Sequence, residues 1–186
     1  MMLAPGMAKL CLFTSAKGKG SDDMHAYCLF CETQKCDAVA HIIQNTYGIR
    51  CISPKIIQRK WVKGKCLEES HHWLPGYVFL YSDEPILPNF RVNGVIRWLE
   101  YAELQGHDND FAQTLYQQNG VMGTIRLVEV GDRCEVSDPN WEGIHGTVTK
   151  VDRSRKRCCV EFTFANIHRS VWVGYDLVKR SEEDNQ

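Results

Sequence analysis

The residues best suited to chemistry are the thiols. The chain carries nine cysteines: Cys11, Cys28, Cys31, Cys36, Cys51, Cys66, Cys134, Cys158 and Cys159. Cys28-x-x-Cys31 followed by Cys36 has the outline of a metal knuckle. A structural zinc site needs four converging ligands, and no second CxxC and no HxxxH completes the set. On a strand, positions three apart point to opposite faces, so Cys28 and Cys31 would not share an ion. The adjacent pair Cys158 and Cys159 diverges for the same reason. A thiol nucleophile would need His25, His71 or His145 beside it, which spacing alone does not show. No glycine-rich phosphate loop and no paired-carboxylate motif is present. No catalytic residue, metal or cofactor is therefore assigned, and a binding protein rather than an enzyme is expected.

The second chemistry is charge. Residues 49–66 hold Arg50, Lys55, Arg59, Lys60, Lys63 and Lys65 with no acid among them. Arg153, Arg155, Lys156 and Arg157 fall within five positions. Residues 100–120 hold Glu100, Glu103, Asp108 and Asp110 with no Lys or Arg. Local basic blocks on a near-neutral protein suit a polyanionic partner, although solvated loops are charged for plainer reasons as well. Trp61 and the pair His71-His72 could stack on bases, or simply pack near a loop.

Composition bounds the rest. The 186 residues carry 22 Lys+Arg against 23 Asp+Glu, a formal net charge of −1, which argues against a uniformly basic surface. At 44% hydrophobic and 24% charged, the chain can build a core and is not a disordered tail. No run approaches the ~18 apolar residues of a membrane helix. Nine is an odd number of cysteines and no export signal is evident, so reduced thiols in a cytoplasmic protein are expected, with no membrane partner.

The elements that must position these residues follow from periodicity. Residues 1–23 read as a disordered leader or upstream extension, with Met24 as a candidate native start. His25 to Cys31 reads as a strand. Thr33 is expected to cap a helix in which Cys36, Val39, Ala40, Ile43 and Tyr47 share a face, ended by Gly48. Strands are expected over Ile49 to Ile57, Pro75 to Tyr81 and Val92 to Tyr101. Asp108 is expected to cap a second helix containing Phe111, Ala112 and Leu115, with Gly120 ending it. Residues 121–129 show no strong signal and read as a linker. Residues 130–180 read as short strands, with turns at Ser137-Asp138-Pro139-Asn140 and Ala165-Asn166, as in a small barrel. Residues 181–186 form an acidic tail. The class is thus α+β, with a first unit over 24–120 and a barrel over 130–180.

Two stretches carry a family resemblance. Leu74-Pro75-Gly76-Tyr77-Val78-Phe79-Leu80-Tyr81 resembles the central strand of the NusG N-terminal (NGN) domain. Gly131-Asp132-Arg133-Cys134-Glu135-Val136, then Gly143-Ile144-His145-Gly146-Thr147-Val148 and Val151-Asp152, resembles a KOW motif. Finer similarity points to the LoaP branch of specialised NusG paralogues. It lies in Glu103-Leu104-Gln105-Gly106-His107-Asp108, Phe111-Ala112, Asn119-Gly120-Val121-Met122-Gly123, Arg155-Lys156-Arg157 and Val171-Trp172-Val173-Gly174-Tyr175. The chain departs from the family at Ala26-Tyr27, usually a Trp-Tyr pair, and at Asp138-Pro139-Asn140, usually an Asp-Gly-Pro turn.

The resemblance implies an α/β sandwich-like NGN domain followed by an SH3-like KOW β-barrel. It implies that an aromatic socket of Tyr27, Trp73, Tyr77 and Phe79 receives the clamp helices of the largest RNA polymerase subunit. A LoaP-like protein would also bind a hairpin in nascent leader RNA. Candidate contacts are Arg50, Lys55, Arg59, Lys60, Lys63 and Lys65 on the first unit, and Arg153, Arg155, Lys156 and Arg157 on the barrel. The implied function is that of an operon-specific processive antiterminator suppressing pausing and termination. Two other readings stay open: a general NusG-type elongation or termination factor whose KOW domain binds a ribosomal protein, and a ribosome-associated RNA-binding protein.

Overall fold

The computed structural model describes residues 24–87, 91–99, 103–130 and 133–178. The expected leader and acidic tail lie outside them, as do Gly131-Asp132 at the start of the KOW-like motif. In chain order the elements are β1 (His25–Cys31), α1 (Cys36–Tyr47), β2 (Arg50–Ile52), β3 (Lys55–Val62), β4 (Lys65–His72), β5 (Tyr77–Ser82), β6 (Val95–Trp98), α2 (Gly106–Gln117), β7 (Val121–Met122), β8 (Ile125–Val130), β9 (Arg133–Val136), β10 (Thr147–Asp152), β11 (Arg157–Phe164) and β12 (Ile167–Val178). The fold is mixed α/β, with two α-helices and three sheets among the described residues. None of these helices is long and apolar enough to cross a membrane.

The first sheet runs β2-β5-β1-β6 and is antiparallel where β1 meets β5 and β6. Both faces of its two central strands are buried, which explains why β1 and β5 read as near-continuous apolar runs. Strand alternation sorts their side chains. Tyr27, Leu29, Cys31, Val78 and Leu80 face α1, packing with Val39 and Ile43. Ala26, Cys28, Tyr77, Phe79 and Tyr81 face the other way, toward α2 and strands from the last third of the chain. Cys28 and Cys31 therefore belong to different cores, as their spacing requires. The helix α1 ends as expected: Gly48 adopts φ 69° and its N–H donates to the Gln44 carbonyl.

Several boundaries differ from those that periodicity predicts. A short 3-10 turn, Thr33–Lys35, precedes α1, and no side chain caps either element. The stretch expected as one strand over residues 49–57 is two, because Pro54 cannot donate to a ladder. In α2 the cap position is Gln105. Asp108 instead accepts from the Ala165 N–H at 3.1 and 3.2 Å, tying the helix to the β11–β12 turn. The expected strand over residues 92–101 is realised as β6, and its last two residues lie outside the described set.

The largest departure is at residues 121–129, expected as a linker. Val121 and Met122 pair in parallel with Lys55 and Ile56. Ile125 and Leu127 are fully buried, while Arg126 between them is exposed. That is a period-two pattern too short to stand out in the sequence. It makes β8 an inner strand of the five-stranded sheet β10-β11-β12-β8-β9. Most of these residues are thus strand, in β7 and β8. β4 was also missed, since its Lys65–His72 sequence is polar and exposed at nearly every position. It pairs fully with β3 around a two-residue turn at Lys63-Gly64, with φ of 50° and 75°.

Asp138 organises the turn after β9. Its carboxylate accepts from Asn140 N at 3.1 Å, capping the 3-10 helix Pro139–Ile144, and from Arg126 N at 3.1 Å. That 3-10 helix lies directly against α2. A methyl group on Gly143 would collide with Thr114 Oγ1 and stand 2.7 Å from the Asp110 carbonyl oxygen. Gly143→Ala is therefore expected to destabilise the protein by about 1–3 kcal/mol through overpacking. A lower urea midpoint with an unchanged slope is the expected reading.

Candidate functional site

The aromatic residues singled out from the sequence divide between two faces. Tyr27 faces α1, edge-on to Trp98 at 6.0 Å, and its hydroxyl accepts from Ile86 N at 3.1 Å. Trp73, Tyr77 and Phe79 lie together on the opposite face, each no more than 6% exposed. Alternation along β1 separates Tyr27 from the other three.

What covers the three is α2, the 3-10 helix Pro139–Ile144 and the strand β11. The Trp73 ring meets Phe111 of α2 at 5.2 Å, Phe162 of β11 at 5.2 Å and Trp141 at 5.5 Å. Phe79 stacks on Phe111 at 5.9 Å and meets Phe164 at 5.2 Å. Tyr77 meets Phe164 edge-on at 5.7 Å, and its hydroxyl accepts from Arg169 Nη2 at 3.2 Å. Offset and edge-on ring pairs of this kind add roughly 0.5–1.5 kcal/mol each beyond area burial. Two polar atoms in this contact, Trp73 Nε1 and Arg169 Nε, are buried without a hydrogen-bond partner among the described residues. Each such orphan costs about 1–3 kcal/mol relative to water.

The basic candidates are mostly paired. Arg50 donates to Asn119 Oδ1 at 2.7 Å and sits 4.0 Å over the Tyr116 ring. Lys55 pairs with Asp37 at 3.1 Å and Lys60 with Glu69 at 3.7 Å. Arg153 pairs with Glu129 at 2.9 Å, while Arg157 pairs with Asp152 at 3.1 Å and covers the Trp172 ring. Arg155 touches Asp152 only at 3.9 Å. Lys63 and Lys65, at the exposed tip of the β3–β4 hairpin, have no acid partner among the described residues. Trp61 is 53% exposed beside that tip, and His71 and His72 sit at the hairpin's far end, paired with Glu69 and Asp37.

The structure also joins the two basic blocks, which the sequence keeps far apart. Arg59 on β3 reaches Asp176 on β12 at 3.0 Å, and Gln58 Nε2 donates to the Trp172 carbonyl at 3.1 Å. Lys156 contributes to the field at Asp176. The hairpin thus reaches β12, whose Tyr175 N–H donates to the carbonyl of Lys156 in the β10–β11 loop. No sequence signal marks Asp176 for this role.

Burial accounts for the thiols. Eight cysteines are free among the described residues. Desolvation pushes Cys31, Cys51 and Cys158 up to about 12, and Cys28 well above the ordinary thiol value, so these sulfurs stay protonated and unreactive. No three described cysteines converge into a metal-holding group.

No protein-family model matches the chain, and no curated protein matches it. Among solved structures it is similar to one described as "Domain interaction in Thermotoga maritima NusG". The identity is 16% and the TM-score 0.49, over 83% of this chain and 96% of that one.

The Arg59–Asp176 pair yields a pH test. The hydrogen bond from Arg59 is the main cause holding Asp176 below the ordinary carboxylate value. With the folded pKa depressed, the stabilisation is present above the unfolded pKa of about 3.9 and is lost as pH falls through the folded value. Asp176 is half exposed, so Asp176→Asn is expected to cost less than about 1 kcal/mol at pH 7. The difference from the parent should vanish near pH 2, as urea titrations at the two pH values would read.

Proposed function

We propose that this chain is a NusG-type transcription factor, and specifically an operon-specific processive antiterminator of the LoaP kind. In this reading it binds RNA polymerase through the Trp73, Tyr77 and Phe79 face and a leader RNA hairpin through its basic loops. The observation that carries the reading is that this face is covered by barrel rings Trp141, Phe162 and Phe164. Aromatic clusters that can be uncovered are the usual anchors of a protein interface. The form described is then a closed one, in which the barrel occupies the place proposed for the polymerase clamp helices.

The energetics suit such an exchange. Ring contacts hold the closed form, and two orphaned polar atoms weigh against it. A partner offering comparable apolar area shifts the balance only by its differential affinity for the open form. Tyr27 falls outside this proposed contact, since it packs against α1. No covalent chemistry is required: stabilising one polymerase conformation over a paused one suppresses termination.

RNA binding would rest on the cations left least paired: Lys63, Lys65, Arg155 and Lys156. They form two exposed tips, with Arg59 between them engaged by Asp176. The extensive pairing of Lys55, Lys60, Arg153 and Arg157 favours a second reading, a general NusG-type elongation factor with little RNA selectivity.

Transcription through a terminator, with and without the leader RNA, separates the two: leader-dependent readthrough supports the first, leader-independent behaviour the second. Reversing charge at Arg155 and Lys156 is expected to weaken leader binding at least tenfold. The log–log salt slope should fall by about 0.7–0.9 per lost phosphate contact. Filter binding across a salt series reads both effects, and unchanged binding removes the barrel loop from the RNA contact. Tyr77→Phe keeps the ring but removes the acceptor for Arg169, and is expected to raise polymerase association several-fold. Pull-down on polymerase core enzyme reads this, and reduced association would place the hydroxyl in the partner contact instead.

A further inference from the structure

Away from the ring contact, three side chains converge where α2 meets the segment before β10. His107 and Asp110 are three residues apart at the start of α2 and so share a helix face. His145 follows the 3-10 helix Pro139–Ile144 and adopts φ 50°, a left-handed conformation uncommon outside glycine. That twist aims its ring at α2. Its Nε2 lies 3.1 Å from Asp110 Oδ2, and the ring meets His107 edge-on with centroids 4.4 Å apart. One donor atom from each of the three lies within 4.8 Å of the others. All three are exposed, and His107 and His145 line a cleft of about 730 Å³ between α2 and the strands β10 and β11.

We propose that His107, Asp110 and His145 bind a zinc ion that clasps the barrel unit to α2. The donor set is apt: two imidazoles and a carboxylate suit zinc, whereas magnesium and calcium favour oxygen. Two donors sharing a tetrahedral zinc at roughly 2.0–2.1 Å stand about 3.3 Å apart. The 3.1 Å between His145 and Asp110 already has that spacing. His107 is exposed and free to swing a ring nitrogen toward the same point. The fourth position opens on the cleft and takes water.

The backbone beneath the site is built for close approach. Gly143 leaves no room for a side chain between the 3-10 helix and Thr114 and Asp110 of α2. His145 follows two residues later, so its place beside α2 is set by backbone packing rather than by side-chain reach. Because one helix supplies two ligands and the barrel side the third, bound zinc stabilises the docked arrangement by mass action. This inference stands apart from the polymerase reading.

The test uses the full chain, stripped with chelator and titrated with zinc chloride by calorimetry. His145→Asn removes the imidazole while keeping a residue tolerant of the left-handed backbone, and His107→Gln removes the second. Cys66→Ser removes the exposed thiol as a rival ligand. One zinc per chain is expected, with affinity at least tenfold lower in His145→Asn and His107→Gln and unchanged in Cys66→Ser. A hundredfold excess of zinc over Kd should raise the thermal midpoint of the parent by roughly 5 °C. Hydrogen exchange should slow in Pro139–Ile144 and the start of α2. Absent binding, or binding equal in the parent and both histidine variants, overturns the site. Binding that leaves exchange across α2 and the 3-10 helix unchanged overturns the clasp.

Discussion

The ring of Trp73 joins the apolar face of the four-stranded sheet to α2 and to the five-stranded sheet. It touches Phe111 from α2 and Trp141 and Phe162 from the barrel side at nearly equal distances. One cluster of buried side chains therefore runs from Ala26 on β1 to Tyr175 on β12. A sheet with only α1 to cover it would leave the Tyr77, Phe79 and Tyr81 face in water. That face must be covered by something, and here α2 and the five-stranded sheet cover it.

The consequence is a contact with two opposed characters. Its apolar part is dense and ring-rich, which favours closure. Its polar part is incomplete: Trp73 Nε1 and Arg169 Nε lack partners, and the Arg59–Asp176 pair at the rim is half exposed. A core meant only for stability gains nothing from buried orphans. An interface that exchanges one partner for another tolerates them, because water or the new partner can satisfy them in the open form. The proposed polymerase contact relies on this asymmetry.

Charge is arranged to the same effect. The chain is close to neutral, and two groups of its basic residues lie on the β3–β4 hairpin and the β10–β11 loop, with Arg59 of the hairpin paired to Asp176. Most of the cations are drawn into ion pairs on the protein itself. Exposed pairs of this kind contribute little stability, and a polyanion can displace the acids at small cost. Elsewhere, the α2–3-10 contact gathers His107, Asp110 and His145, a group the spacing of the residues does not announce.

Much of the local structure could be read from residue order. Continuous apolar runs placed β1 and β5, the apolar spacing of Val39, Ala40 and Ile43 placed α1, and Gly48 marked its end. The divergence of Cys28 and Cys31 followed from strand geometry alone. These are short-range facts, decided by which side of a strand or helix a residue occupies. The tertiary structure decided what covers each face, because that depends on contacts between residues far apart in the chain. It turned residues 121–129 into strand, moved Tyr27 away from Trp73, Tyr77 and Phe79, and recast Asp108 from a cap into a tie to Ala165. Ring packing across the two units has no local periodicity, so nothing in the order of residues could display it.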